Sequence, residues 1–385
     1  MKAGDPIIIN KTRVKNRLTM APTVKFDYAG ADGRVTKKHI EHYRARAEHD
    51  CGLICVEATA VTPDGRFCKT HLGLWEDAQI EGHRAITAAC HDNQTAALIQ
   101  LNHTGIQGNP ECGPVIGPSA VPTRDPEKLS REMSIDEIHE MQAHFTDAAF
   151  RAKQAGYDGV QLHGCHGYLI NQFVSRRTNL RTDEYGGSTE NRARFAAEII
   201  RMIRERCGED FIISVRTAGI EPDVAAAIDI AEEYVKAGCD YLQVSTGIET
   251  ESILTDRNSS AQSRTGSLVL RAGANWDDPS VSENGDPYNR FCSLGVRFHK
   301  HFRGRIPVSC VNGILEPSLA RYLIENDLAD TVDLARALLA DPAFCEAVLS
   351  DAPFVKCFNC PRCQYGPGMP HKCPAAAKRG ISGLR

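Results

Sequence analysis

Three side chains that can hold or transfer a proton lie close together in the segment GVQLHGCHGY, which covers residues 159–168. They are His163, His166 and Tyr168. The first half of the segment has the composition of a short buried strand, so the three side chains are expected at its carboxyl end. Imidazole and phenol groups serve as general acids and as hydrogen-bond donors. The spacing therefore predicts a site of acid catalysis at this strand end.

Polar residues also end two neighbouring predicted strands. Gln100 ends the run AALIQLNH, and Arg216 ends the run FIISVRT. Each residue alone could be a buried group with a satisfied hydrogen bond or ion pair. Because parallel strands of a barrel present their carboxyl ends on one face, the set taken together favours a shared site.

Four cysteines near the carboxyl terminus form the pattern C-x2-C-x2-C-x9-C-P. They are Cys357, Cys360, Cys363 and Cys373. Three closely spaced cysteines with one more distant are typical of a [4Fe–4S] cluster, whereas zinc sites more often pair two C-x2-C units across a longer spacer. The pattern favours iron–sulfur and leaves a structural zinc site open, with His371 as an alternative ligand.

Eight short apolar runs alternate with stretches of helical length, which predicts eight βα units. This alternation indicates an α/β fold, a (β/α)8 TIM barrel with a short Cys-rich C-terminal extension. We place the barrel at residues 1–350 and the extension at residues 351–385. The predicted strands cover residues 18–24, 53–61, 96–103, 159–166, 211–217, 241–247, 306–313 and 332–340.

Two long connections follow the third and sixth predicted strands, at residues 105–134 and 248–289. Both are rich in residues that favour turns and loops. Loops on this face of a barrel usually shape the pocket, so we expect the second one to set substrate choice.

Composition excludes several classes of function. The chain has 385 residues, a charged fraction of 24% and a formal net charge of −4, so a nucleic-acid partner is not expected. It carries no apolar signal core and no run long enough to span a membrane. Fifteen cysteines in a chain of this size suit a reducing compartment, and we expect a cytoplasmic protein.

Residues 163–195, HGCHGYLINQFVSRRTNLRTDEYGGSTENRARF, closely resemble the fingerprint of the Old Yellow Enzyme family of flavin-dependent reductases. The family includes the relatives of 2,4-dienoyl-CoA reductase, and the resemblance extends over roughly residues 5–345. It implies an FMN-binding barrel. No GxGxxG element follows an early strand, which argues against a dinucleotide-binding domain within this chain.

The resemblance implies which residues hold the cofactor. Those facing the flavin ring would be Pro22, Thr23, Val24, Ala58, Gln100 and Arg216, and those near the phosphate would be Asn312, Gly313, Ala335 and Arg336. Many relatives have Cys or Thr at the position of Val24. A valine side chain cannot form the hydrogen bond with the flavin that those residues can form. Ala335 stands where the family usually has glycine.

The resemblance also implies a reaction. His163 and His166 would bind the oxygen of an unsaturated carbonyl or thioester substrate, hydride would come from reduced FMN, and Tyr168 would supply a proton. N-demethylation or nitro-group reduction on the same scaffold remains open, as does an electron-transfer subunit of a larger complex. A zinc-binding interaction tail is a further alternative.

The electron source is not determined by the sequence. The relatives with a comparable cysteine cluster pass electrons from a second flavin domain, so here a separate electron-donor protein could serve the cluster. Direct reduction by NAD(P)H, with a structural metal in the tail, is the alternative. A homo-oligomer is compatible with either electron source.

Overall fold

The computed structural model describes residues 1–248, 286–289, 291–360 and 373–378. Strands and helices are numbered along the chain within these ranges. The strands are β1 (Ile7–Ile9), β2 (Thr12–Val14), β3 (Leu18–Met20), β4 (Leu53–Ala60), β5 (Ala96–Asn102), β6 (Ile116–Gly117), β7 (Arg131–Glu132), β8 (Gly159–Gly164), β9 (Ile212–Ala218), β10 (Tyr241–Ser245), β11 (Val308–Cys310) and β12 (Thr331–Leu334).

The helices run mainly between the strands and cover the outside of the sheet. They are α1 (Lys37–Ala47), α2 (Ile80–His91), α3 (Ile135–Gln154), α4 (Leu169–Val174), α5 (Thr189–Cys207), α6 (Val224–Lys236), α7 (Cys292–Phe302), α8 (Pro317–Glu325), α9 (Arg336–Ala340), α10 (Phe344–Ser350) and α11 (Pro374–Lys378). None of the helices in the described ranges is long and apolar enough to cross a membrane.

Eight strands close into a parallel barrel in the order β10, β11, β12, β3, β4, β5, β8 and β9. The predicted (β/α)8 fold is therefore confirmed. The ring closes where β12 pairs with β3, with Val332 opposite Leu18, and all eight carboxyl ends meet on one face.

The first and the eighth barrel strands both end earlier than predicted. The first strand stops at Met20, short of Pro22, which has no backbone N–H for a strand ladder. The second half of the predicted eighth strand is helical, because RALLA at Arg336–Ala340 contains strong helix formers.

A hairpin that was not predicted from the sequence covers the amino-terminal end of the barrel. β1 and β2 pair antiparallel, and their apolar side chains pack against the lower strand residues. This cluster comprises Ile7, Ile9, Val14, Leu53, Cys55, Ala96, Leu98, Ile212 and Tyr241. The packing seals one end of the barrel, so the polar strand ends on the opposite face are the accessible ones.

Candidate active site at the carboxyl ends of the strands

The two histidines reach the site through a tight turn after β8. His163 lies near the end of the strand, in register with Arg216 of β9. The chain then turns through positive φ angles of 60° at His166 and 74° at Gly167. The N–H of His166 donates to the carbonyl of Thr246 at 2.9 Å. A left-handed backbone costs a residue with a Cβ about 1–2 kcal/mol, and such strain often marks a functional position.

The turn brings the imidazoles into direct contact. His163 Nε2 lies 2.9 Å from His166 Nδ1, and His166 Nε2 lies 2.7 Å from Ser245 Oγ of β10. Burial lowers the pKa of His166 to about 3, helped by the nearby charge of Arg216. Burial likewise holds the pKa of His163 well below its ordinary range. Both rings are therefore neutral at physiological pH and act as hydrogen-bonding groups.

Tyr168 stands directly before α4 and beside the histidines. Its ring centroid lies 4.8 Å from that of His163 and 4.9 Å from that of Phe67. Burial raises the pKa of Tyr168 to about 12, although Arg124 opposes the shift. The phenol therefore keeps its proton at neutral pH. The structure thus brings together all three residues predicted from the segment GVQLHGCHGY.

Sequence reasoning missed two aromatic neighbours in the loop after β4. The ring centroids of Phe67 and His71 lie 4.4 Å apart, and His71 Nε2 lies 2.6 Å from the carbonyl oxygen of Ala58. Burial lowers the pKa of His71 to about 3, so its neutral ring can donate one N–H to that carbonyl. The loop has no periodic pattern that would have revealed these contacts.

Cys165 lies between the histidines in sequence, and its Sγ and their ring nitrogens lie within 4.8 Å of one another. Burial raises the pKa of Cys165 to about 12, and the two imidazoles already bond each other. We therefore interpret this trio as a hydrogen-bonding pair with a buried thiol beside it.

The predicted flavin-ring residues lie on β3, β4, β5 and β9 or directly after them, where β3, β4 and β5 are consecutive in the barrel and β8 separates β5 from β9. Gln100 Nε2 donates to Gln161 Oε1 at 2.8 Å inside the barrel. Thr23 Oγ1 donates to the carbonyl of Ala21 at 3.2 Å. Pro22 and Val24 are half-buried, whereas Ala58 is buried. Because these strands present their carboxyl ends on the same face of the barrel, one ligand there could contact all of these segments.

The predicted phosphate residues follow β11 and β12, which are adjacent in the barrel. Asn312 and Gly313 have positive φ angles of 82° and 76°. Ala335 directly precedes α9. The Arg336 guanidinium donates to Asn359 Oδ1 at 2.5 Å, so it also links the barrel to the cysteine-rich segment.

Two buried nitrogen atoms provide a test of whether these residues fit FMN. Within the described ranges, neither Arg216 Nε nor Asn312 Nδ2 has a hydrogen-bond partner. A buried donor of this kind is costly unless it meets an acceptor. The electron-rich edge of a flavin beside Arg216 and a phosphate beside Asn312 would supply acceptors, so the donor set fits the cofactor.

The cysteine-rich segment is described in part. Cys357 is 6% exposed, and its Sγ accepts the N–H of Asn359 at 3.4 Å. Cys360 and Cys373 are half-buried, and both lie near enough to help raise the pKa of Cys357, after the larger effect of burial. Cys363 lies outside the described residues, so the four-cysteine site stays a prediction.

Comparison with known proteins identifies a family and several similar structures. The model of the NADH:flavin oxidoreductase / NADH oxidase family matches residues 4–353. A 2-naphthoyl-CoA reductase in complex with 2-naphthoyl-CoA is similar at 26% identity and a TM-score of 0.80, over 93% of this chain and 54% of that one. An Old Yellow Enzyme homologue from Zymomonas mobilis has 26% identity and a TM-score of 0.74, over 95% and 97% of the two chains.

A histamine dehydrogenase from Rhizobium sp. 4-9 is similar at 26% identity and a TM-score of 0.74, over 94% of this chain and 50% of that one. The protein thus spans about half the length of the 2-naphthoyl-CoA reductase and histamine dehydrogenase chains, and almost all of the Zymomonas homologue.

Proposed function

Because the chain belongs to the NADH:flavin oxidoreductase / NADH oxidase family, we propose that it reduces an activated C=C bond with FMN as its cofactor. The substrate class would be an α,β-unsaturated carbonyl or thioester. The observation that carries this proposal is the pair of neutral imidazoles 2.9 Å apart, with a protonated phenol beside them. Hydrogen-bonding groups for the carbonyl oxygen and an acid for the α-carbon are what the reduction of a conjugated carbonyl uses.

The side chains divide the work as follows. Reduced FMN, when bound, supplies a hydride to the β-carbon of the substrate. In the free protein one of the two facing nitrogens, His163 Nε2 and His166 Nδ1, donates to the other. With substrate bound, each ring would turn its N–H to the substrate oxygen, and the two hydrogen bonds would stabilise the negative charge that develops there. Tyr168 delivers a proton to the α-carbon. We assign the Ser245 hydroxyl as the donor to His166 Nε2, which leaves the proton of that ring on Nδ1, the atom that faces His163 in this structure.

The cofactor would be held by the residues whose placement is described above. Arg216 and Gln100 would bind the pyrimidine edge of the flavin, where a cation balances developing negative charge. Pro22, Thr23, Val24 and Ala58 would line the ring. Asn312, Gly313, Ala335 and Arg336 would hold the phosphate through backbone N–H groups and the guanidinium.

The tail adds a second centre to the proposal. We assign Cys357, Cys360, Cys363 and Cys373 to a [4Fe–4S] cluster, with structural zinc as the alternative. The contact between Arg336 and Asn359 supports this, because it joins the predicted phosphate loop to the predicted cluster loop. A cluster here could pass electrons from a separate donor protein to the flavin, whereas a zinc site would leave NAD(P)H as the direct reductant.

The decisive experiment compares wild type with Tyr168→Phe in anaerobic stopped-flow measurements. The variant should accept electrons into its flavin at the wild-type rate but lose at least a hundred-fold in reoxidation by an enone. Tyr322→Phe is the matched control, because Tyr322 is a surface tyrosine on α8. Unchanged reoxidation would remove Tyr168 from the acid role. A wild-type enzyme that reacts with nitro compounds or N-methyl amines, but with no enone, would replace the proposed reaction.

A further inference from the structure

A buried carboxylate connects the two segments that are proposed to line the flavin. Glu57 of β4 is 1% exposed, and its Oε2 accepts the backbone N–H of Lys25 at 2.7 Å. Lys25 directly follows Val24, and Glu57 directly precedes Ala58. One side chain therefore fixes the loop after β3 relative to β4 at the residues that would lie next to the ring.

The other carboxylate oxygen is held from α1. Tyr43 donates its O–H to Glu57 Oε1 at 3.2 Å, and the same hydroxyl accepts the N–H of Glu57 at 3.0 Å. His39 Nε2 lies 3.7 Å from Oε1, and its Nδ1 accepts the N–H of Thr36 at 3.1 Å. The carboxylate thus joins the loop, the strand and the first helix in one hydrogen-bonded unit.

Burial raises the pKa of Glu57 to about 7, although the backbone N–H and the positive charge of Lys25 both lower it. Burial therefore disfavours the ionised form of this carboxyl group. The neighbouring His39 is neutral, since burial lowers its pKa to about 3. A buried acid without a full ion pair contributes little to stability. Its geometry, however, positions two segments, which is a role that an apolar side chain could not fill.

We infer that Glu57 is a positioning residue for the flavin, holding Pro22–Val24 and Ala58 at the separation that the ring requires. This inference rests on the proposed function, which places those residues against the cofactor. It requires no contact between Glu57 and the flavin, because the carboxylate acts through the backbone of Lys25 and through its own strand.

The test measures FMN binding by fluorescence quenching on Glu57→Ala and Glu57→Gln, together with the visible spectrum of the reconstituted proteins. Glu57→Ala should weaken FMN binding at least ten-fold and change the shape of the flavin bands. The FMN affinity of Glu57→Gln should stay within about three-fold of that of wild type, because the amide oxygen still accepts the Lys25 N–H. Tyr43→Phe, which keeps the ring and removes one donor, should fall between them.

Glu198→Ala is the matched control for general destabilisation. Its Oε2 also accepts a tyrosine hydroxyl, that of Tyr185 at 2.8 Å, but this contact joins α5 to the loop before it, outside the barrel. An equal loss of FMN affinity in this control, or unchanged affinity in both Glu57→Ala and Tyr43→Phe, would overturn the inference. A Glu57→Gln protein as weak as Glu57→Ala would also do so. Failure of wild type to bind FMN would instead overturn the proposed function.

Discussion

The imidazole of His166 forms a hydrogen bond with the hydroxyl of Ser245, whose Oγ lies 2.7 Å from Nε2. The two residues are far apart in sequence and meet only because the turn after β8 reaches the carboxyl end of β10. When the hydroxyl donates to Nε2, the neutral ring must carry its proton on Nδ1. In that tautomer the ring donates from Nδ1, toward His163 in the free protein or toward a substrate oxygen.

Ser245→Ala should weaken substrate activation while leaving the flavin site intact. Loss of one hydrogen bond of about 1 kcal/mol corresponds to roughly a five-fold fall in kcat/KM for an enone. The flavin spectrum and the rate of flavin reduction should not change. Ser309→Ala is the control, because this serine lies inside the barrel on β11 and donates instead to the carbonyl of Thr331. Equal effects in both variants would contradict the assigned role of Ser245.

Asp333 should make the stability of the FMN-free protein depend on pH. Its carboxylate is buried on β12 and accepts from Gln243 Nε2 at 3.1 Å and from Thr19. Burial raises its pKa from 3.8 to about 6, although Arg216 opposes the shift. A raised pKa in the folded state means that the stabilisation is complete below pH 3.8 and is lost as pH rises through about 6.

The measurement for Asp333 compares denaturant unfolding of wild type and Asp333→Asn at several pH values. Relative to the variant, wild type should lose about 2 kcal/mol of stability between pH 4 and pH 7. Asp229→Asn controls for the removal of a surface carboxylate, since Asp229 is exposed on α6. A difference between wild type and Asp333→Asn that stays constant with pH would show that Asp333 does not titrate in this range.

The barrel could be predicted from the sequence because each βα unit carries a local pattern. Residues 189–207, one of the stretches of helical length between the predicted strands, form α5, which begins after the N-cap Ser188. Local patterns also placed His163, His166 and Tyr168 at one strand end. They could not reveal Ser245, Phe67 or Glu57 as parts of the site, because these roles arise from contacts between elements distant in sequence.

Substitution of Gly186 or Gly187, in the loop before α5, by alanine should lower the free energy of unfolding by different amounts. A Cβ added at Gly186 would lie 2.0 Å from the carbonyl oxygen of Arg181, so the backbone must move. Gly187 has a φ angle of 80°, and a Cβ there would meet nothing within 4 Å. Gly187→Ala should therefore cost only about 1 kcal/mol of backbone strain.

Gly186→Ala should cost about 1–3 kcal/mol or more, as expected for overpacking against fixed backbone. Arg181 cannot move easily, because its Nη1 donates to the buried carbonyls of Pro118 and Met133 at 2.9 and 2.7 Å. Urea unfolding of the two variants checks the order. A larger loss for Gly187→Ala would mean that backbone conformation, rather than the close approach to Arg181, controls this loop.

Removal of one tail cysteine should separate the metal centre from the flavin site. Cys360→Ser, purified without oxygen, should lose the metal that wild type carries while still binding FMN, since Cys360 lies outside the barrel strands. If the metal is a [4Fe–4S] cluster, wild type contains about four irons with matching sulfide and shows a broad brown absorbance. Zinc without iron would make the tail structural.

Reduction of the flavin then identifies the electron source. With a cluster relay, Cys360→Ser should lose flavin reduction by a reduced ferredoxin at least ten-fold, because the path for single electrons is removed. With direct hydride transfer, NAD(P)H should reduce the flavin of variant and wild type equally. Cys112→Ser is the control, since Cys112 is a half-buried thiol in the loop after β5. Wild-type metal content in Cys360→Ser would exclude Cys360 as an essential ligand.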